Sequence, residues 1–322
     1  MARPLRIEFA EAVYHVTSRG LERREIVHDD HDRGQWLDVL DRVATRRRWC
    51  VYAFALMGNH FHLFLRTPQG DLSAGMHDLN SAYVGGFNRR HGRVGPLLQG
   101  RFKAVLVERA THEWELSRYV HLNPVRAGLA ADPAAYRWSS CRCYFAARLA
   151  PAWLGWQEVL SRHAGSLRAA RRRYRAHLDE GLPRPLRSPL ADAVASTLLG
   201  SAGFVERMRA RLAGWLPDRE VPAVRALRPD VALADIDRAV SAAYGVDAKE
   251  LRQRGRHGNE ARRVAIALAK ELTTLPLREL GAYYGGVGPA AVSNIVRAIR
   301  GDSAASRRLR VLRQALEGNA KK

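Results

Sequence analysis

Apolar residues recur along this chain with two different periods. From Met57 to Leu65, MGNHFHLFL, an apolar run of strand character sets His60 and His62 on either side of Phe61. Successive side chains on a strand point to opposite faces, so both imidazoles project from one face while Phe61 anchors the other in a core. Thr111 to Pro124, THEWELSRYVHLNP, predicts a helix with Thr111 as its cap, Glu113 in the first turn and Pro124 as its end. Tyr119 and Asn123 lie four apart there and share a helix face. Residues 147–222 read as helical and basic, with RAARRRYR (Arg168–Arg175) as a solvated face and GLPRPLRSP (Gly181–Pro189) as a break. From Ala232 the period is helical throughout: Ile236, Val240 and Tyr244; Val264, Leu268 and Leu272; Leu277, Leu280 and Tyr284; Val292, Ile295 and Ile299. Between the last two sets, GGVGP (Gly285–Pro289) is a glycine turn with Pro289 at a helix start, which is helix-turn-helix punctuation.

Composition adds a partner. The net charge is +21 over 322 residues with a pI near 10.9, and only five of the 53 basic residues are lysine. Such a chain attracts polyphosphate. In the turn NRRHGR, Arg89, Arg90 and Arg93 are candidate phosphate contacts, as are Arg101 and Lys103, which alternation on a strand aims to one side, and Arg126 after the proline. Trp138 with Ser139 and Ser140 is a candidate base-stacking group, although the first reading of Trp138 is a partly core residue closing the first domain. Cys50, Cys141 and Cys143 are too few and too unevenly spaced for a disulfide framework or a zinc finger. No apolar stretch reaches membrane-span length and the N-terminus lacks a signal-peptide core, so a cytoplasmic, nucleoid-associated protein is expected.

Two convergent histidines are half of a metal site. If the Tyr119 face lies over them, Asn123 supplies a third donor for a divalent cation and Tyr119 a nucleophile. With two nitrogens and one amide oxygen, Mg²⁺ or Mn²⁺ fits the expected phosphate chemistry, Mn²⁺ tolerating imidazole better, and Zn²⁺ would bind such ligands as well. Each residue also has a purely structural reading: polar groups on a solvated strand face, a packed tyrosine ring, a turn asparagine ahead of proline.

Taken together, AVYHVTSRG (Ala12–Gly20), MGNHFHLFL, FNRRHGRVGPLLQGRFKAVLV (Phe87–Val107), YVHLNPVRAGL (Tyr119–Leu129) and YRWSS (Tyr136–Ser140) resemble the REP-associated tyrosine transposases, single-tyrosine members of the HUH endonuclease group. Gly58 departs from the proline usual there. The resemblance implies Tyr119 as catalytic nucleophile, His60 and His62 as metal ligands with Asn123 as the third, and a 5′-phosphotyrosine intermediate on REP-type palindromic repeats. It also allows a homodimer as well as a monomer. YGVDAKELRQRGR (Tyr244–Arg256), ARRVAIALAKELTTLPLRELGAYYGG (Ala261–Gly286) and AVSNIVRAIR (Ala291–Arg300) resemble the C-terminal DNA-binding domain of the DnaA initiator. By that analogy Ser293, Asn294 and Arg297 face a major groove, while Gly288 to Ala291 replace DnaA's polar run.

The expected fold class is α+β: a ferredoxin-like antiparallel sheet with packed helices over residues 1–146, of HUH nuclease type, then a basic helical linker region at 147–225 and an all-α helix-turn-helix domain at 226–322. The expected function is a metal-dependent single-stranded DNA endonuclease and strand transferase acting on single-stranded or hairpin DNA, with duplex bound by the C-terminal domain. The alternatives are a non-catalytic repeat-DNA-binding regulator and a hydrolytic nuclease in which Tyr119 only packs.

Overall fold

Runs of β-branched and aromatic residues form the strands. β1 (Ala12–Arg19), β2 (Cys50–Leu56), β3 (His60–Thr67) and β4 (Lys103–Val107) each run antiparallel to their neighbours, and the two-residue β5 (Leu198–Leu199) adds to β4 in parallel, giving the order β2-β3-β1-β4-β5. The computed structural model describes residues 7–182, 188–194, 197–213, 231–253, 259–273 and 275–319. Part of the GLPRPLRSP break, the 225/226 domain boundary and the end of the YGVDAKELRQRGR motif lie outside the described residues. The chain divides into a unit running Leu5–Met208 and a second containing Arg209–Lys322.

In the first unit α1 (Asp30–Arg46) joins β1 to β2 and α2 (Leu72–Arg90) joins β3 to β4, each crossover skipping one strand. That split arrangement is the ferredoxin-like topology. Asp29 caps α1 by accepting from the Asp32 N–H. α1 packs along α2 and turns Trp36 onto Phe54 and Phe61, with ring centroids 6.2 and 5.0 Å away. Phe61 is 1% exposed, so its strand face is the core face. Truncating it leaves a cavity beside Trp36: Phe61→Ala is expected to cost about 3–5 kcal/mol. A lower urea midpoint with unchanged m-value, followed by tryptophan fluorescence, checks this.

The opposite sheet face is covered by α3 (Arg109–Arg126), which packs on β2 and β3. Two sequence expectations are corrected there. Thr111 is not the cap: the helix begins at Arg109 after Glu108, and the Thr111 hydroxyl donates to Glu108 O inside the first turn. Pro124 does not end it either. The helix continues to Arg126: Pro124 takes one N–H out of the ladder, but the ladder resumes past it, with Ala127 N–H donating to Asn123 O at 3.0 Å. Closure comes from Gly128, at φ +71, and from Leu129 N–H donating to Pro124 O.

Beyond α4 (Cys141–Phe145), the region read as linker supplies α5 (Trp156–Ser161) and α6 (Leu167–Glu180), with α5 on β2 and α6 on α3 and α5. Ala170, Tyr174 and Leu178, one turn apart, are fully buried beneath the arginine-rich surface. Tyr174 stacks on Tyr144 at 4.7 Å.

The second unit is helical, with α8 (Leu233–Tyr244) preceded in the chain by α7 (Ala202–Ala213) and followed by α9 (Ala248–Leu251), α10 (Glu260–Leu272), α11 (Leu277–Tyr283), α12 (Pro289–Gly301) and α13 (Ser303–Asn319). Ile236, Val240, Val264, Leu268, Leu280, Val292 and Ile299 form its core; Val296 is buried on α12 where Ile295 is only partly so. Asp237, 1% exposed, accepts from Arg252, Tyr283 and Tyr284, tying α8 to α11. Gly285 and Gly286 take φ of +81 and +77 in the turn, and a Cβ on Gly281 would lie 1.8 Å from Val287 O, so only glycine lets the turn close onto α11.

Candidate active site

The register of the sheet decides what faces α3. Thr17 pairs with His62, Arg19 with His60, His15 with Phe64 and Thr17 with Lys103, so His15, Thr17, Arg19, His60, His62 and Lys103 share one face. α3 lays Tyr119 on that face. Its ring centroid is 5.7 Å from that of His62 and 6.0 Å from that of His15, both edge to face, and the His60 and His62 rings are 5.0 Å apart. Asn123 follows one turn along the helix, its Nδ2 donating to Tyr119 O at 2.8 Å. Arg126 sets its guanidinium 5.7 Å from the Tyr119 ring centre.

The electrostatics favour neutral imidazoles. His15 is pushed down to about 3 by burial and His60 to about 4 by burial and then by Arg19. His62 is held well below the usual histidine range by burial first and then by His15, His60 and Arg19. A neutral imidazole keeps a lone pair for a cation, so this donor chemistry fits a metal. His60 Nδ1 lies 2.6 Å from Asn59 Oδ1 and His62 Nδ1 lies 3.0 Å from His15 Nε2, which leaves both Nε2 atoms unused by these contacts. With its amide nitrogen committed to the helix, Asn123 has its oxygen to offer. Gly58 adopts an ordinary backbone conformation, and an added Cβ would meet Glu25 Oε1 at 3.6 Å, so nothing in the hairpin requires glycine there.

His121, on the buried side of α3, fixes the helix. Its ring nitrogens lie 2.7 Å from Tyr174 Oη and 2.7 Å from Ser140 Oγ, and Ser140 Oγ accepts from Phe54 N–H on β2 at 2.8 Å. The serines of the Trp138 motif are thus structural here. Trp138 itself is half-buried, with Arg137 and Arg33 guanidinium carbons 4.8 and 5.9 Å from its ring centre. Sequence reasoning missed His15 and His121. His15 stood in the quoted first-strand motif, but its alternation with Thr17 and Arg19 shows only that they share a face, not which strand that face meets.

A second donor group, His28, Asp32 and His91, has ligand atoms within 4.8 Å of one another. Asp32, fully buried, accepts from His28 N–H at 2.8 Å, from His91 Nε2 at 2.9 Å and from Arg90 at 2.5 Å. Burial alone would raise its carboxyl, yet those hydrogen bonds together hold it below the usual range. A cation already sits here in the form of the Arg90 guanidinium, which also bonds Asp29. A metal ion would have to displace it.

Arg90, one of the expected phosphate contacts, is paired with Asp29 and Asp32 and ties α2 to the start of α1. Arg89 is exposed, Arg93 half-buried, and Arg101 and Lys103 are exposed, with Lys103 on the histidine face. The RAARRRYR run forms an exposed face on which three arginines are paired within the protein: Arg171 donates to Tyr144 O, Arg173 to His163 O, and Arg175 pairs with Asp132 and Asp179. On α12, Asn294 and Arg297 are exposed and Ser293 is half-buried, its hydroxyl donating to Pro289 O. Among the described residues no helix is long and apolar enough to cross a membrane.

The family model described as transposase IS200-like matches residues 8–123, and that of the bacterial DnaA helix-turn-helix matches residues 233–299. Residues 8–123 thus match the IS200-like transposase family and residues 233–299 the DnaA helix-turn-helix, each over less than half of the chain. The chromosomal replication initiator protein DnaA of Sphingopyxis alaskensis is 37% identical over 84 residues, which are 26% of this chain and 18% of that protein. A solved REP-associated tyrosine transposase bound to a REP hairpin is 17% identical, covering 47% of this chain and 89% of its own, with a TM-score of 0.40. A transposase from Deinococcus radiodurans is 20% identical, covering 35% and 93%, with a TM-score of 0.27.

Proposed function

We propose that this chain, through its IS200-like transposase domain, cuts and rejoins single-stranded or hairpin-flanked DNA by transesterification at Tyr119. The carrying observation is the Tyr119 ring edge-on to His62, with His60 beside it on the same sheet face. In the reaction the Tyr119 oxygen loses its proton to solvent and attacks the scissile phosphorus. The P–O3′ bond breaks, and the departing 3′ oxygen takes up a proton. The products are a 5′-phosphotyrosine and a free 3′-hydroxyl, and attack by a second 3′-hydroxyl reseals the strand without ATP.

His60 and His62 through Nε2 and Asn123 through its amide oxygen would hold Mg²⁺ or Mn²⁺. When bound, the ion polarises a non-bridging phosphate oxygen. Arg19 and Lys103 on the same face draw the backbone in, and Arg126 holds charge over the Tyr119 ring. The motif resemblance favours REP-type palindromic repeats as substrate, and α12 would carry Ser293, Asn294 and Arg297 into duplex DNA for targeting.

The test uses a 3′-labelled hairpin oligonucleotide and the full chain. Label retained on the protein in a denaturing gel with Mn²⁺, lost with EDTA and mapped to the Tyr119 peptide by mass spectrometry, is the expected outcome. Cleavage with no adduct would make it a hydrolytic nuclease, and tight binding with no cleavage a repeat-binding regulator.

A further inference from the structure

The two cation-facing histidines differ in what holds them. For His60 the answer is an amide: Asn59 Nδ2 donates to Arg23 O at 3.0 Å, which fixes the amide's orientation and leaves Asn59 Oδ1 to accept from His60 Nδ1–H at 2.6 Å. An acceptor-only partner forces the proton onto Nδ1 and the lone pair onto Nε2. His62 has no such partner in its own hairpin. Its Nδ1 meets His15 Nε2 at 3.0 Å, a diagonal contact across β1 and β3, because the residue directly opposite His62 is Thr17 and the one opposite His15 is Phe64.

An imidazole partner is ambiguous where an amide oxygen is not. If His15 Nε2 carries a proton it donates to His62 Nδ1, and the His62 proton must then sit on Nε2, where it blocks a cation. If His15 carries its proton on Nδ1, its Nε2 accepts from His62 Nδ1–H, and the His62 Nε2 lone pair faces Tyr119's side of the sheet. His15 is 2% exposed and its ring is also held edge-on to Tyr119, so its orientation is fixed by packing on two sides.

We infer that His15 is a positioning residue: its Nε2 accepts from His62 Nδ1–H and so selects the His62 tautomer that binds the cation. This rests on the proposed cation-assisted function, but the tautomer itself can be read without metal or DNA. The experiment is a long-range ¹H–¹⁵N spectrum of the metal-free full-length protein at pH 7, with Mn²⁺ affinity measured by EPR. In the wild type His62 is expected as the Nδ1–H form. His15→Phe should weaken Mn²⁺ binding about 10- to 100-fold, the range for losing a group that orients a metal ligand. His15→Gln, whose amide oxygen also accepts, should restore most of it. Hairpin binding in EDTA should stay unchanged in both variants.

A wild-type spectrum showing His62 protonated on Nε2 overturns the assignment even if His15→Phe fails to fold. So does a folded His15→Phe with unchanged Mn²⁺ affinity. A wild type that binds no Mn²⁺ sinks the cation reading instead, and His15's role is then judged on the tautomer spectrum alone.

Discussion

Tyr119→Phe is expected to lower covalent adduct formation and strand rejoining by about 10⁴-fold or more, the scale seen when an enzyme loses its nucleophile. The substitution removes one oxygen and little else. The ring keeps its edge contacts with His62 and His15, and Arg126 keeps its place over the face. α3 is held from its other side by the His121 contacts to Tyr174 and Ser140, which the change does not touch. Stability should therefore move by less than about 1 kcal/mol, as for other substitutions that leave packing intact. The variant should still bind the hairpin oligonucleotide. Single-turnover assays with labelled DNA in Mn²⁺, beside a thermal melt, check both halves. An adduct forming at the wild-type rate would show that another side chain, or water, is the nucleophile.

The second large effect is acid instability of the metal-free protein. His15 and His121 are pushed down to about 3 by burial, and His62 lies well below its usual range, burial again being the main cause. Above pH 6.5 these groups are neutral both folded and unfolded, so they add no pH dependence. As the pH falls below 6.5 the unfolded chain takes up protons that the folded chain refuses, and stability declines until the folded values are reached. His15 and His121 then each cost about 1.4 kcal/mol per pH unit, about 2 kcal/mol by pH 5 and roughly 4 kcal/mol for the two, and His62 adds to the loss in the same direction. That is comparable to the whole stability of many domains, which runs about 5–15 kcal/mol. Urea titrations at pH 7, 6 and 5 in EDTA measure it. His121→Gln should reduce the slope by about one proton's worth, roughly 1.4 kcal/mol per pH unit. A free energy of unfolding equal at pH 7 and pH 5 would mean that these imidazoles take protons in the folded state. Mn²⁺ should restore part of the loss by binding only the neutral, folded site.

The helical second unit was the most legible part of the chain. Ile236, Val240, Val264, Leu268, Leu280, Val292 and Ile299 all fall in its core, at positions the helical period names. The same held for local features of the first unit: His60 and His62 on one strand face with Phe61 on the other, and Tyr119 one turn before Asn123. The basic stretch after residue 146 was harder to read. The helix and its solvated arginine face were legible, but the apolar stripe of Ala170, Tyr174 and Leu178 is narrow and lies among arginines, so its burial was not. Pro124 misled in the opposite direction: it disfavours the helical conformation at Asn123 and removes one hydrogen bond, yet the ladder resumes beyond it and carries the helix on to Arg126. Arg90 is an ion-pair anchor for α1, since an arginine in sequence carries no sign of whether a buried carboxylate awaits it.

The sequence by itself determined which residues share a face within each strand and helix, because those periods of two and 3.6 are properties of the backbone and need no partner. Only the tertiary structure decided what each face meets. It brought His15 to His62 across 47 residues, set Tyr119 on the histidine side of the sheet, and pinned its helix through His121. Register and helix coverage depend on how long-range apolar surfaces pack, and no local spacing encodes that.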